Sequence, residues 1–254
     1  MKDVYRDRQY WDDRSRDFSK LEWASRQGYV EMLVQAGDLR SDDVVLDIGT
    51  GTGIIARAVA PFVETVVGVD ISEEMIKASK ATAAANCECE IGDARNLRFP
   101  TGHFSRAFAR MVFHGLIESG DAAAKECCRV LRPGGKFILS EGIPPSPAAE
   151  PWYTEMFRLK EERLTFSPEI LQGLLSRAGL TEVQTLIHIS PQVSIANWLE
   201  NGSLSSDQRR ELMQVHLDMP AEVRKAYNAT FTESDVFLDM KFAIVVGTKP
   251  NTAD

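Results

Sequence analysis

The stretch "VVLDIGTGTG", residues 44–53, decides the fold. A short apolar run leads into Asp47, and glycines follow at positions 49, 51 and 53. A β-branched run bounded by turn residues predicts a buried strand, and the glycines predict a turn that a ligand can approach closely. Because many phosphate- or nucleoside-bearing ligands bind at such a turn, the kind of ligand depends on the residues around it.

Strands and helices alternate after this stretch. Strands are predicted in "TVVGVDIS", "CECEIGDA", "HFSRAFARMVF" and "KFILSEG", and helices in "IIARAVAPF", "SEEMIKASKATAAA" and "GDAAAKECCRVL". Ser72 is expected to cap the second of these helices. The alternation of apolar strands with helices predicts a parallel sheet covered on both faces. Ligands bind such sheets beyond the carboxyl ends of the strands, so we expect the functional residues directly after the first four strands.

The outer parts of the chain are predicted to be largely helical. A helix is predicted over residues 3–37, with Gly37 as its stop. After the proline-rich "IPPSPAAEP", helices are predicted in "WYTEMFRLKEERL" and in "SPEILQGLLSRAGL", which Ser167 caps. A sixth strand in "TEVQTLIHIS", two helices near 193–200 and 205–227, and a last strand in "KFAIVVGTKP" complete the order of elements.

Composition and charge limit the classes of function. The formal net charge is −8 at pH 7, and an acidic surface argues against a nucleic-acid partner, because neutralising phosphates requires a basic face. No window approaches the roughly 18 apolar residues of a membrane span. The charged N-terminal stretch lacks the apolar centre of a secretion signal. We therefore expect a cytoplasmic protein with no membrane span and a small-molecule partner.

The cysteines form two close pairs, Cys87 with Cys89 and Cys127 with Cys128. Their spacings are C-x-C and C-C, whereas zinc turns favour two residues between the cysteines. We interpret all four as reduced thiols and predict no metal site.

An acidic residue follows each of the first three strands. Asp70 lies 17 residues beyond Gly53, at the end of the second strand, where a carboxylate can accept hydrogen bonds from both hydroxyls of a ribose. Asp93 and Ala94 follow the third strand and would lie beside the base. These positions suit an adenosine.

Asp47 separates two kinds of adenosine ligand. A dinucleotide would place its pyrophosphate against the glycine turn, and the Asp47 carboxylate would repel it by about 1–3 kcal/mol at an intermediate dielectric. A ligand with a cationic end would be attracted instead. The glycines also run G-x-G-x-G rather than the G-x-G-x-x-G of dinucleotide-binding turns.

Together these segments resemble the class I S-adenosylmethionine-dependent methyltransferases, in particular the group that includes the ubiquinone/menaquinone C-methyltransferases and many small-molecule methyltransferases. "VLDIGTGTG", "VVGVDIS", "IGDARNLRFP" and "RVLRPGGKFILSEG" resemble family motifs in the family's order, and "ARMVFHGL" resembles the end of its fourth strand. The resemblance covers about residues 10–143. Its motifs are specific for the fold and the cofactor, and they do not specify the methyl acceptor.

The resemblance implies a role for each matching residue. Asp47 and the turn would hold the methionine end, Asp70 the ribose hydroxyls, and Ile71 the adenine ring, which Asp93 and Ala94 would flank. Arg110 would lie near the methionine carboxylate or the substrate. An aromatic residue of the N-terminal helix would close the site; Tyr10, Trp11 and Phe18 are available, and Phe18 stands in place of the family's common tyrosine. The implied cofactor-binding set is Asp47, Gly49, Thr50, Gly51, Asp70, Ile71, Asp93, Ala94, Arg110 and Phe18.

The resemblance implies methyl transfer from S-adenosylmethionine to a small-molecule acceptor by in-line displacement, with S-adenosylhomocysteine as the product. A base is needed only if the acceptor carries a proton, and His114, after the fourth strand, is the candidate. Glu141 is a candidate for substrate contact, whereas His188 and His216 are expected to have structural roles. Residues 152–157 form an aromatic patch that is either core or a wall of the substrate site.

The resemblance also implies an overall architecture. We predict an α/β fold with a Rossmann-like doubly wound sheet of seven strands, mostly parallel with an antiparallel last strand, plus a helical cap. Residues 1–254 would form a single methyltransferase domain. Its parts would be an N-terminal helical cap (1–37), a cofactor-binding core (38–143), cap helices (144–180) and a helical insertion between the last two strands (190–237).

Two other functions stay open at this point. One is a nicotinamide-dependent oxidoreductase, against which Asp47 and "RVLRPGGKF" argue. The other is a non-catalytic protein that binds S-adenosylmethionine, whose cofactor residues would look the same. The sequence does not predict the oligomeric state.

Overall fold

A computed structural model describes residues 8–251, and within them one sheet contains eight strands. The strands are β1 (Val44–Ile48), β2 (Thr65–Asp70), β3 (Cys87–Ile91), β4 (Phe104–Arg110), β5 (Leu131–Ile143), β6 (Thr181–Ser194), β7 (Thr230–Phe231) and β8 (Val236–Thr248). Their order is β3-β2-β1-β4-β5-β8-β6, and β7 pairs with β8. Strands β1 to β5 pair in parallel, and β8 runs antiparallel to its neighbours.

The α/β fold class, with a mostly parallel sheet and an antiparallel last strand, is confirmed. The strand number is one higher than predicted, because the two-residue strand β7 pairs with the start of β8. The strand order reverses between β1 and β4, and a crevice opens at such a switch point beyond the carboxyl ends of the strands. The candidate site lies there.

Helices cover the sheet and extend beyond it. They are α1 (Arg8–Phe18), α2 (Gln27–Ala36), α3 (Ile54–Val59), α4 (Glu73–Ala81), α5 (Gly120–Val130), α6 (Glu150–Lys160), α7 (Pro168–Arg177), α8 (Ile195–Glu200), α9 (Ser206–Leu217) and α10 (Ala221–Ala226). The central strands are buried along nearly their whole length, and side chains of the same strand divide between the cores on its two sides, as Phe108 and Ala107 of β4 do. This division follows from the alternation of side chains along a strand.

The N-terminal segment is not one helix, so the prediction over residues 3–37 is wrong for its described part; residues 3–7 lie outside the description. Helix α1 ends at Phe18, a short 3-10 helix covers Glu22–Ser25, and α2 begins at Gln27. The break lets Leu21 and Trp23 enter the core, where their exposed fractions are 1% and 7%. Burial of two large side chains outweighs the small local preference for a continuous helix.

The C-terminal part also differs in its boundaries. Strand β6 continues past the predicted end through an irregular register to Ser194, and β8 begins before the predicted start, at Val236. The predicted helix over 205–227 is two helices. Pro220 follows the end of α9, and a proline has no backbone N–H to donate to a carbonyl of the preceding turn. Among the described residues, no helix has the length and apolar character needed to cross a bilayer.

Candidate active site

The turn after β1 needs glycine at its first position. Gly49 has φ +62°, and a β-carbon there would lie 2.3 Å from Cγ2 of Val112. Gly51 has φ +54°, but a β-carbon there would meet only ordinary contacts at 3.9 Å or more. The turn therefore packs tightly against the residues after β4 at Gly49 and leaves room beside Gly51.

Asp47 is a buried carboxylate at the end of β1. Its Oδ2 accepts hydrogen bonds from Oγ1 of Thr50, at 2.7 Å, and from the backbone N–H of Ala56, at 3.1 Å. Its Oδ1 accepts neither bond. Burial raises the pKa of Asp47 to about 7, although these hydrogen bonds and Arg110 oppose the rise. Such a carboxylate would gain from a cationic ligand group.

Asp70 ties the end of β2 to the glycine turn. Its Oδ2 accepts from the backbone N–H of Gly51 at 2.8 Å, and its Oδ1 accepts from that of Ser72 at 2.9 Å. Burial raises the pKa of Asp70 to about 6, against the effect of these backbone bonds. The second acidic residue is thus held at the same edge of the sheet as Asp47.

One open cavity of about 1320 Å³, including its mouth, lies at this edge. The predicted site residues that line it are Phe18, Asp47, Gly49, Thr50, Gly51, Asp70, Ile71, Arg110 and His114. Helix α1 and the elements after β5 supply much of the remaining wall.

Asp93 and Ala94 do not line this cavity, unlike the other predicted cofactor residues. The Asp93 carboxylate forms an ion pair with Arg95, at 2.5 Å between Oδ2 and Nη2, and also accepts from the Arg95 backbone N–H. Ala94 is buried in the core, with an exposed fraction of 1%. The Asp93 carboxylate, which the sequence predicted to lie beside the adenine base, is therefore bonded to Arg95 within the loop after β3.

Arg110 lines the cavity and also anchors the N-terminal segment. Its Nη1 donates to the backbone carbonyl of Ala24, and its guanidinium carbon lies 5.7 Å from the centre of the Tyr29 ring. The Tyr29 hydroxyl is in turn hydrogen-bonded to Ser140 on β5, at 2.8 Å. Arg110 thereby links the end of β4 to the chain that covers the cavity.

Glu141 on β5 holds the turn after β4. Its Oε1 accepts from three consecutive backbone N–H groups, those of Val112, Phe113 and His114, at 2.9, 2.6 and 3.2 Å. Its Oε2 lies 2.9 Å from Nδ1 of His114. Glu141 is fully buried and does not line the cavity. The candidate role of Glu141 in substrate contact is therefore wrong, since both of its oxygens are bonded within the protein.

This contact orients the His114 ring. A carboxylate accepts and does not donate, so Nδ1 carries the proton and Nε2 presents a lone pair. Burial lowers the pKa of His114, followed by the charge of Arg163, while Glu141 opposes both effects. The histidine that lines the cavity is thus held neutral, with Nε2 available as a base.

The other candidate side chains separate into two groups. His188 stacks on Tyr29, at 5.2 Å between ring centres, and does not line the cavity. His216 does line it, and its Nδ1 bonds to the Leu212 carbonyl at 2.7 Å. Within the aromatic patch, Tyr153, Met156 and Phe157 line the cavity, whereas Trp152 packs behind them against the His216 ring.

A buried charged cluster lines the cavity where the sequence predicted only a charged helix. Helix α6 ends at Lys160, and the chain beyond it is extended. This end places Lys160, Glu161 and Arg163 in the cavity wall, together with Arg14 of α1. In the run "LKEERL" the spacing is that of a solvated helix face, so no local signal separated these residues from surface charges.

Comparisons with known proteins find similar proteins among the methyltransferases. A family profile described as "Methyltransferase domain" matches residues 46–139. A Bacillus subtilis protein named as an uncharacterized methyltransferase, YcgJ, is 24% identical over 80% of this chain and 82% of its own length. Its crystal structure superposes with a TM-score of 0.77 over 88% of this chain and 98% of that one, at 24% identity, which shows a common fold.

Two further relatives match a smaller part of their own length. The 27-O-demethylrifamycin SV methyltransferase of Amycolatopsis mediterranei is 33% identical over 69% of this chain and 61% of the relative. A ubiquinone/menaquinone C-methyltransferase of Pseudomonas putida is 32% identical over 44% of this chain and 47% of the relative. The chain thus spans about half to three-fifths of the length of these two enzymes. These comparisons give no support to an oxidoreductase.

The donor set of the cavity suits the cofactor of these enzymes. Asp47 has a carboxylate oxygen that accepts neither of its two internal hydrogen bonds, and the glycine turn leaves room beside Gly51. Asp70 lies at the end of the neighbouring strand. A cationic amino-acid end and a ribose both find acceptors here, and S-adenosylmethionine carries both groups. The motifs of the chain, its sheet order and these relatives together support a class I S-adenosylmethionine-dependent methyltransferase.

Proposed function

We propose that this protein methylates a small-molecule acceptor whose reacting group loses a proton, with His114 as the general base. The observation that carries the proposal is the His114–Glu141 pair, 2.9 Å between Nδ1 and Oε2, in the same cavity as Asp47 and Asp70. Glu141 fixes the tautomer whose Nε2 takes the proton, as a carboxylate does for a histidine base in general.

The acidic edge of the cavity would hold the cofactor. Asp47 would accept from the ammonium group, the backbone of Gly49, Thr50 and Gly51 would hold the carboxylate end, and Asp70 would accept from the ribose hydroxyls. Ile71 and Phe18 line the same cavity and would pack against apolar parts. When bound, S-adenosylmethionine supplies an electrophilic methyl group on a good leaving group.

The protein's own part is to align the acceptor, remove its proton and exclude water. The base must be neutral to act, and the lowered pKa of His114 keeps it so at neutral pH. The acceptor would lie between His114 and the wall formed by α1 and by the elements after β5. These helices enclose the cavity, which supports a small acceptor rather than a polymer. The names of the rifamycin and quinone relatives also refer to small acceptors.

Transfer of labelled methyl groups tests this proposal. A cell extract is divided by ultrafiltration into small molecules and macromolecules, and each fraction is incubated with the protein and methyl-labelled S-adenosylmethionine. We expect label in a small-molecule product, which is lost with Asp70→Asn and retained with the exposed-site control Arg98→Gln. Label only in RNA or protein contradicts the proposed acceptor class. Binding of S-adenosylhomocysteine without transfer to any fraction contradicts the enzyme and favours a non-catalytic binder.

A further inference from the structure

Three cations surround a single carboxylate in the wall of this cavity. Lys160 Nζ lies 2.7 Å from Glu161 Oε2, Arg14 Nη1 lies 3.4 Å from the same oxygen, and Arg163 Nη1 lies 3.6 Å from Oε1. The exposed fraction of each of these four side chains is 9% or less. Buried charges are costly unless they are paired, so the balance of charge in this cluster is informative.

The cluster has one positive charge in excess. Glu161 is the carboxylate at its centre, and Glu141 is the other carboxylate that acts on Arg163. The three cations outnumber these two carboxylates by one, and Glu141 is already bonded to three backbone N–H groups and to His114. Burial lowers the pKa of Lys160 to about 8; Glu161 opposes this effect, and the charges of Arg14 and Arg163 add to it.

Arg163 has an unused donor in this wall. Its side chain is 3% exposed, and its Nη2 is buried without a hydrogen-bond partner. The guanidinium is fixed on the face of Phe157, 4.1 Å from the ring centre to the guanidinium carbon. An unpaired buried guanidinium N–H is costly, and a planar guanidinium held in place is suited to carboxylate recognition.

Other unpartnered donors line the same cavity. The indole Nε1 atoms of Trp11 and Trp23 are buried without a partner, and both residues line the cavity. Tyr153, Met156, Phe157, Ile195 and Trp198 form the apolar wall around the charged cluster. The wall therefore offers donors and apolar surface, and a complementary ligand has acceptors and an apolar body.

We propose that the methyl acceptor carries a carboxylate, distinct from the group that is methylated, and that Arg163 binds it against the wall formed by Phe157 and Trp198. The class of acceptor is an amphiphilic monocarboxylic acid whose anionic charge completes the buried cluster. Its reacting group would lie at His114, which lines the same cavity as Arg163. This inference rests on the proposed function and specifies its substrate.

The charge of the labelled product is the first test, and it needs no variant. The small-molecule product of the transfer assay is run on an anion exchanger at about pH 7, with and without esterification of free carboxylates. We expect retention that esterification abolishes. A product that passes through uncharged or cationic overturns the inference. Retention that esterification leaves unchanged, as expected for a phosphate, also overturns the inference. Methyl transfer to a neutral small molecule would leave the proposed function intact while overturning this inference.

A binding comparison tests the role of Arg163. The protein saturated with S-adenosylhomocysteine is titrated with phenylacetate and with its neutral isostere phenylacetamide. We expect the carboxylate to bind at least roughly tenfold more tightly. Arg163→Leu should remove this preference and Arg158→Leu should preserve it, because Arg158 lies exposed on α6 and pairs with Glu155.

Affinity for S-adenosylhomocysteine, measured for each variant, reports whether the variant folds. Equal affinity of wild type for the two probes, including no binding of either, contradicts the inference. A preference that survives in Arg163→Leu also contradicts it. If Arg163→Leu does not fold, the charge of the wild-type product decides.

Discussion

Two buried carboxylates at and behind the cavity wall, Asp47 and Glu141, have different roles because their surroundings differ. Asp47 is buried, and its Oδ1 accepts neither of its two internal hydrogen bonds. Burial raises the pKa of Asp47 to about 7. Glu141 is equally buried, but its oxygens accept from three backbone N–H groups and from Nδ1 of His114. Asp47 is therefore suited to meet a ligand, whereas Glu141 is suited to position His114.

Replacement of Asp47 by asparagine separates binding from stability. A raised pKa in the folded state contributes stability that is present in acid and is lost as the pH rises through about 7. Asp47→Asn avoids this loss, so the ligand-free variant should melt at a higher temperature than wild type at pH 8. It also removes a charge-assisted bond of about 1.5–3 kcal/mol to the ligand ammonium, roughly a ten- to hundredfold loss of affinity.

Calorimetric titration with S-adenosylhomocysteine between about pH 6 and 8 checks the binding half of this prediction. Wild-type affinity should increase with pH as Asp47 ionises, and the variant should show a flatter dependence. A variant that binds as tightly as wild type at pH 8 would show that Asp47 does not contact the cofactor.

The tautomer of His114 can be reversed by Glu141→Gln. The glutamine carbonyl oxygen can still accept from the three backbone N–H groups, but its amide donates to Nδ1, so the ring proton moves to Nε2 and the lone pair is lost. We expect a loss of roughly 10²–10⁴-fold in the transfer rate constant, with little change in affinity for S-adenosylhomocysteine. A nitrogen NMR spectrum of the imidazole reports the tautomer directly, and an unchanged tautomer with unchanged rate would refute the positioning role.

At the scale of elements, helix α1 covers the cavity through its contact with α4. Ser72 caps α4 by accepting from the backbone N–H of Met75 at 3.1 Å, and its Oγ donates to Asp12 of α1 at 2.5 Å. Helix α1 brings Trp11, Arg14 and Phe18 to the cavity wall. Ser72 thus connects helix α4 to helix α1, which lines the cavity.

Serine-to-alanine variants at two caps isolate this connection. Ser72 and Ser167 both cap helices, but Ser167 caps α7 by accepting from Ile170, whereas Ser72 also donates to Asp12 of α1. Each variant should lose about 1 kcal/mol of stability. Only Ser72→Ala should also increase hydrogen exchange of α1 and weaken S-adenosylhomocysteine binding. Equal exchange of α1 in the two variants would contradict the connection.

Local signals in the sequence predicted the parallel strands and both serine caps, which the structure confirms. They did not predict the break before Leu21, because that break depends on packing against distant β-strands. They also missed the cluster around Glu161, in which Arg14 of the distant helix α1 joins charged residues of the run "LKEERL". Charges that the fold brings together from distant segments leave no periodic pattern in the sequence.

At the scale of the whole molecule, charge is distributed unevenly. The net charge is −8, yet the lining of the cavity includes the buried cations of the Glu161 cluster as well as Asp47 and Asp70. This polarity suits two different ligand groups in one cavity. The overall acidity therefore does not describe the site, and the acceptor inferred from the site is itself an anion.

Thermal unfolding tests the ligand class for the whole molecule. A ligand at a hundred times its Kd stabilises the folded state by about 2.7 kcal/mol. For a chain of this size that corresponds to an increase of the Tm by roughly 5–10 °C. We expect this increase with S-adenosylhomocysteine and none with NADH. The reverse result would indicate a nicotinamide-binding protein.

The central claim is that one cavity binds S-adenosylmethionine and that His114, in its wall, removes a proton from the acceptor. Single-turnover transfer by His114→Asn tests it most directly, because the asparagine amide can still donate to Glu141 but lacks the base nitrogen. At saturating cofactor we predict that the transfer rate constant falls by roughly 10²–10⁴-fold, while the Kd for S-adenosylhomocysteine stays within about a factor of two. A variant that transfers the methyl group at the wild-type rate would contradict the account.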